Sequence, residues 1–211
     1  MATPVISVHD LSVNYDGHQV LDRVNLDIRP NEILVLLGGS GSGKTTLLHH
    51  IIGLEAPSSG NILIRGVDIN NCSAEILKQI RRQVGVSFQE AALFNSISTE
   101  ENVALPLREL TDLADPVIEV MVYMTLAAVG LAESGKLMPH ELSGGMKKRA
   151  AVARAIALDP GILVFDEPSA GLDPIVSAEL VRALHFRQRN QSSERNLRRL
   201  RSIEASNPTS T

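Results

Sequence analysis

Ile33-Leu34-Val35-Leu36-Leu37-Gly38-Gly39-Ser40-Gly41-Ser42-Gly43-Lys44-Thr45-Thr46 passes from an unbroken apolar run through a glycine-rich turn to a lysine and paired threonines. A near-continuous apolar run ending at glycine is the pattern of a strand buried on both faces of a parallel sheet. Thr46 to Ile52, ending at Gly53, reads as the helix that follows. Gly38 to Thr45 matches G-x-x-x-x-G-K-[ST]. Glycines allow backbone N–H groups to converge on phosphate oxygens, and the next helix adds its positive end. Lys44 is placed to reach β- and γ-phosphates and Thr45 to ligate Mg²⁺. The competing reading, a flexible glycine-serine turn, does not account for the strand before the loop and the helix after it.

Upstream, residues 5–8, 11–15 and 20–28 read as short strands, broken at Asp16-Gly17, and imply an N-terminal β lobe. Downstream, Ile62 and Ile64 mark a strand ending at Arg65-Gly66, and 73–82 has helical spacing at Ile76, Leu77 and Ile80. Val84 to Phe88 is another strand. From about residue 90 to 158 the pattern turns helical, with helices expected near 99–109, 115–130 and 143–157, an inserted helical subdomain. Gly161 to Phe165 is a second buried-type strand, running into Asp166-Glu167-Pro168, and a helix is expected from Pro174. The fold class is α/β: a phosphate-loop core with an N-terminal β lobe and a helical insertion.

Composition narrows the function classes. Twenty Lys+Arg against 24 Asp+Glu give a formal charge of −4, so no overall electrostatic case for a nucleic-acid partner exists. The lone Cys72 excludes an intramolecular disulfide and any metal site built on a cysteine cluster, and points to a reducing cytoplasm. Asp10, Asp16 and Asp22 interrupt the start of the chain, so no secretory signal is expected there. Val120 to Ala132 is uncharged but shorter than the roughly 18–20 residues of a membrane span.

Asp166, at the end of the second strand, can hold Mg²⁺ through water, and Glu167 beside it can polarise a water attacking a γ-phosphate. Alone, such a pair is more often a turn or a helix cap; beside the glycine loop it reads as a catalytic pair. Leu142-Ser143-Gly144-Gly145-Met146 offers a second helix-start anion site, and is also a sufficient helix cap.

Together these motifs resemble those of ABC-type ATPases, whose signature Leu-Ser-Gly-Gly-Gln is matched here with Met146 in the glutamine position. The resemblance covers residues 5 to about 184, an ABC-type nucleotide-binding domain, and implies the following roles. ATP is held by Tyr15, stacked on adenine, by Gly38, Gly39, Ser40, Gly41, Ser42, Gly43, Lys44, Thr45 and Thr46, and by Asp166. Ser143, Gly144 and Gly145 close on the nucleotide of a second copy in a head-to-tail dimer, with Ser169-Ala170-Gly171-Leu172-Asp173 as the dimer-contact loop. Mg²⁺ is ligated by Thr45, Gln89 and Asp166, and catalysis falls to Glu167, Lys44 and Gln89.

Ala92-Leu93-Phe94, the stretch Glu101 to Glu109, Met146 and Ala150 to Asp159 further resemble the ATP-binding subunit of bacterial Mce-type phospholipid transporters. That implies integral-membrane permease partners, a peripheral position on the cytoplasmic face of the inner membrane, and ATP hydrolysis driving phospholipid movement. Leu93 and Phe94 are candidates for docking on the permease, or equally for lobe core. An ABC protein acting on ribosomes or DNA is disfavoured: translation-type members carry paired domains in one chain, and repair-type members a very long coiled coil.

The pattern departs from the family after Leu184. An apolar strand ending in a switch histidine should follow; instead residues 185–211 carry six arginines, no lysine and two glutamates, +4 in all, leaving −8 for residues 1–184. His185 follows a helical stretch and does not suit the switch. The expectation is a truncated or frame-shifted C-terminus with missing strands and a basic, disordered tail. A nucleotide-binding fragment deficient in hydrolysis is then the alternative to a working ATPase.

Overall fold

The computed structural model describes residues 3–88 and 91–166. Strands β1 (Ile6–Tyr15) and β2 (His18–Ile28) form a hairpin closed by Asp16-Gly17, whose φ angles of 48° and 83° suit a two-residue turn with both residues left-handed. Helix α1 (Lys44–Ile51) follows the glycine loop. Strands β3 (Ser59–Ile64) and β4 (Val67–Asp68) form a second hairpin. The sheet is antiparallel, in the order β2-β1-β3-β4. Helix α2 (Ala74–Arg81), capped by Ser73 Oγ accepting from the Ile76 N–H, leads into β5 (Val84–Ser87).

Helices α3 (Thr99–Leu110), α4 (Asp115–Ala128) and α5 (Gly144–Ile156) then intervene before β6 (Ile162–Phe165), which pairs parallel to β5. A parallel pair requires a long crossover, and the helical insertion supplies it. Ser98 caps α3 through a capping box with Glu101, so two end groups of the helix are satisfied reciprocally. The three helices enclose a core of Val103, Leu107, Ile118, Val122, Leu126, Val152 and Ile156. A second core, with Val8, Leu11, Leu47, Ile51, Ile62 and Ile64, lies between the antiparallel sheet, α1 and β6.

β6 belongs to both. Ile162 and Val164 are buried in the second core, whereas Leu163 and Phe165 pack against the helical one, as the two-residue period of a strand requires. No helix among the described residues is long and apolar enough to cross a membrane.

The stretch Ile33 to Leu37 corrects the expectation drawn from it. It forms no strand, and Ile33, Val35 and Leu37 are 59, 67 and 90% exposed. Only Leu36 packs against the second core. A run of apolar residues becomes a buried strand only where neighbouring strands offer hydrogen-bonding edges, and among the described residues none pairs with 33–37. Residues 5–8 and 11–15 are also one strand, with an irregularity where Asp10 takes φ 47°. The helix expected from Pro174, the loop Ser169 to Asp173, His185 and the segment 185–211 lie outside the described residues.

Candidate functional site: a glycine loop beside an acidic strand end

The loop between residue 37 and α1 is shaped by its glycines. Gly41 and Gly43 have φ of 77° and 86°, and a Cβ on Gly43 would stand 2.9 Å from Leu21 Cδ2, so a side chain there meets both strain and β2. Gly43 precedes α1, which begins with no side-chain cap and no acidic residue in its first turn. The positive end of the helix is therefore available to an anion. Ser40 to Thr46, together with Val20 of β2, line a cavity of about 270 Å³, below the roughly 300–1,000 Å³ of whole-ligand pockets and suited to a phosphate chain.

Lys44 Nζ donates to the carbonyls of Gly38 and Gly39, both at 2.8 Å, and to Ser42 Oγ at 3.3 Å. The ammonium is thus held within the loop it would serve. Gly38 and Gly39 contribute these carbonyls rather than cavity lining. Thr45 Oγ1 donates to Asp166 Oδ2 at 3.1 Å, across 121 residues of sequence. Asp166 is positioned by β6, its N–H donating to the Ser87 carbonyl of β5 at 2.9 Å. A hydroxyl and a carboxylate oxygen converging beside a cavity with a lysine form a hard-oxygen donor set, which fits Mg²⁺ shared with phosphate oxygens.

The structure therefore brings together the loop, Lys44, Thr45, Thr46 and Asp166. Tyr15 ends β1 and is 42% exposed; its hydroxyl donates to Glu55 Oε2. This bond is the first cause of a phenol pKa above its usual value and of a Glu55 carboxyl below its own. Ser143 caps α5, its Oγ accepting from the Met146 N–H at 3.3 Å, and Gly144 is exposed at that helix start. Met146 packs against the helical core, an apolar use for its position. Gln89 and Glu167 lie outside the described residues. Leu93 divides from Phe94: the first packs on the helical core, while the second is 53% exposed.

Three residues with no motif to announce them join the picture. Val20 lines the cavity, though its alternating pattern marked it only as strand. Glu55 carries the Tyr15 contact, with no periodicity to signal it. Arg154 of α5 reaches back to the loop after β5, donating to the carbonyls of Ala92 at 2.8 Å and Ala91 at 3.1 Å.

A glycine loop at an uncapped helix start, facing a strand-end aspartate, with a helical insertion between the parallel strands, defines a cassette ATPase architecture. The chain matches the ABC transporter family over residues 21–170 and belongs to it. It is 47% identical over 171 residues to the intermembrane phospholipid transport system ATP-binding protein MlaF of Haemophilus influenzae, an alignment covering 81% of this chain and 65% of that protein. It is 46% identical over 175 residues to the probable ribonucleotide transport ATP-binding protein mkl of Mycobacterium tuberculosis, covering 83% of this chain and 49% of the relative. The chain thus spans about half to just under two thirds of the length of these relatives. Among solved structures, a dimeric ATP-binding cassette in a post-hydrolysis state with ADP and Pi superposes with a TM-score of 0.83 at 28% identity, covering 88% of this chain and 84% of that one.

Proposed function

We propose that the chain is the ATP-binding and ATP-hydrolysing subunit of a transporter, working as a head-to-tail pair on a membrane permease at the cytoplasmic face of the inner membrane, with phospholipid as cargo. The observation that carries the reading is the Thr45 to Asp166 hydrogen bond beside the glycine loop. It joins the end of the acidic strand to the start of the phosphate-loop helix, which ATP hydrolysis with Mg²⁺ requires. Resemblance to MlaF supports the phospholipid cargo.

On this reading the backbone N–H groups of Ser40 to Thr46 and the start of α1 hold the phosphates, and Lys44 turns from its loop carbonyls to the β- and γ-oxygens. Thr45, Asp166 and Gln89 would hold Mg²⁺, which neutralises charge on those oxygens. Glu167 accepts a proton as water attacks the γ-phosphorus; the bond to the β–γ bridging oxygen breaks, releasing ADP and phosphate. Tyr15 faces the adenine. Ser143, Gly144 and Gly145 of one copy close on the nucleotide of the other, and residues 5–184 form the nucleotide-binding domain, with about 90–158 as its helical subdomain.

The test is phosphate release from Mg-ATP by the purified chain, with and without permease-containing membranes, in wild type, Lys44→Ala and Glu167→Gln. Turnover abolished by both substitutions is the expected result; turnover surviving both overturns the catalytic assignment. ATP binding that depends on Lys44, without turnover, establishes instead a binding module. Movement of labelled phospholipid but not ribonucleotide in permease vesicles is expected, and the reverse overturns the cargo.

A further inference from the structure

Outside the phosphate loop, a chain of polar and aromatic contacts links elements that surround it. Tyr15 Oη donates to one oxygen of the Glu55 carboxylate, and His49 Nδ1 lies 3.3 Å from the other. The His49 ring meets Phe88 nearly edge-on, with centroids 5.9 Å apart and planes at 81°. The contacts therefore run from the end of β1, through the segment after α1, to α1 itself and to the residue that follows β5. Phe88 directly precedes Gln89.

Tyr15 needs such a tie. It is the last residue of β1, beside the Asp16-Gly17 turn, and at 42% exposure its ring is not fixed by core packing. A stacking platform that samples several rotamers must be ordered when a ligand arrives, and that ordering weakens binding. A carboxylate accepting from the phenol, while itself held by a histidine on α1, fixes the ring in advance relative to the helix that begins at the phosphate loop.

We propose that Glu55 is a positioning residue for the adenine subsite: it holds the Tyr15 ring in place, with His49 of α1 bracing the carboxylate from its other oxygen. This rests on the reading of Tyr15 as the adenine-facing ring. A hydrogen bond at the surface contributes little to folding, so its use lies in the ring's placement.

The experiment measures calorimetric binding of Mg-ATP and of Mg-tripolyphosphate to the full chain, as wild type, Tyr15→Ala, Tyr15→Phe, Glu55→Ala, Glu55→Gln and the double variant Tyr15→Phe/Glu55→Ala. Glu55→Ala should weaken ATP roughly three- to tenfold, as expected for one freed side chain, while tripolyphosphate binding is unchanged. Tyr15→Phe should match it, and the double variant should be no worse than either single one. Glu55→Gln, which keeps an acceptor oxygen, should recover most of the loss. Ultraviolet titration of the phenols gives an independent readout: Tyr15 and Tyr123 are the only tyrosines, and Glu55→Ala should bring the Tyr15 transition down toward its ordinary value. Loss of ATP binding in Tyr15→Ala but not in Tyr15→Phe or Glu55→Ala overturns the positioning role and leaves the Tyr15 reading standing. Unchanged ATP binding in Tyr15→Ala overturns the Tyr15 reading and this inference with it.

Discussion

Replacing Arg154 by methionine removes the guanidinium while keeping most of the aliphatic stem, and so isolates the contacts of its head group. Those contacts are the carbonyls of Ala91 and Ala92, at 3.1 and 2.8 Å. Both alanines take positive φ, 62° and 47°, an arrangement that costs about 1–2 kcal/mol per residue for a side chain with a Cβ. Hydrogen bonds from a charged donor contribute about 1.5–3 kcal/mol each, so the pair outweighs the strain it holds. Burial already works against the guanidinium, pushing its pKa below the usual arginine value, which draws down the gain. After substitution, water can reach the exposed Ala92 carbonyl, whereas Ala91, 3% exposed, keeps an orphaned one. The expected loss is about 2 kcal/mol, because released backbone strain offsets part of the missing bonds. Urea unfolding should show the lowered midpoint, and amide exchange should show residues 91–94 opening well before the helices. A midpoint unchanged by Arg154→Met, with exchange at 91–94 also unchanged, would refute the reasoning. Since that loop directly follows Gln89, ATP turnover should fall more than ATP affinity.

Gly85→Ala places a Cβ 2.1 Å from the Ala155 carbonyl oxygen, a backbone atom that no rotamer change moves, so α5 and β5 must separate; a loss of about 3 kcal/mol or more in urea unfolding is expected, and a loss below about 0.5 would contradict the packing. Asn102 is fully buried and donates to the carbonyls of Phe94, Ile97 and Ser98 while accepting from the Phe94 N–H. Asn102→Asp should therefore cost about 3–5 kcal/mol at neutral pH. Burial raises the folded-state pKa of the new carboxyl, so the deficit relative to wild type should shrink as pH falls through that value toward the unfolded value near ~3.9, and a pH-independent deficit would sink the account. Glu101 shows the opposite sign. Its bonds from the Ser98 backbone and side chain lower its pKa, so the capping box contributes fully above the unfolded-state value and is lost as pH falls through the folded one. The stability gap between wild type and Glu101→Ala should close over that acidic range.

Much of the architecture was legible because short-range rules governed it. Asp16-Gly17 marks a break between strands, Ser73 the start of helical spacing, and Gly38 to Thr45 a phosphate loop, each through local backbone chemistry. The alternation from Ile162 to Phe165 was less telling, since an apolar run does not say which residue faces which core. Ile33 to Leu37 departs from its pattern for a related reason: hydrophobicity reports a preference for burial, while a parallel strand also needs edges supplied by other parts of the chain. At the candidate site, Lys44, Thr45 and Asp166 could be chosen from their motifs as phosphate and Mg²⁺ groups, whereas the direct Thr45 to Asp166 hydrogen bond came only with the structure. Glu55 and Arg154 could not be chosen this way. Their partners lie 40 and more than 60 residues away, and neither interrupts a pattern. Asn102 did leave a trace, a polar side chain on the face of α3 that also carries buried Val103 and Leu107.

The double membership of β6 has a mechanical consequence. Because Ile162 and Val164 are clamped by one core and Leu163 and Phe165 by the other, the strand behaves as a partition wall gripped from both sides. Neither lobe can tilt against it without opening a void or a clash in its own core. The helices and the β lobe are therefore coupled to each other through this one strand. Asp166, set at the end of that wall and tied by its N–H to the Ser87 carbonyl, inherits its position from both cores at once, so a packing defect in either lobe reaches the carboxylate.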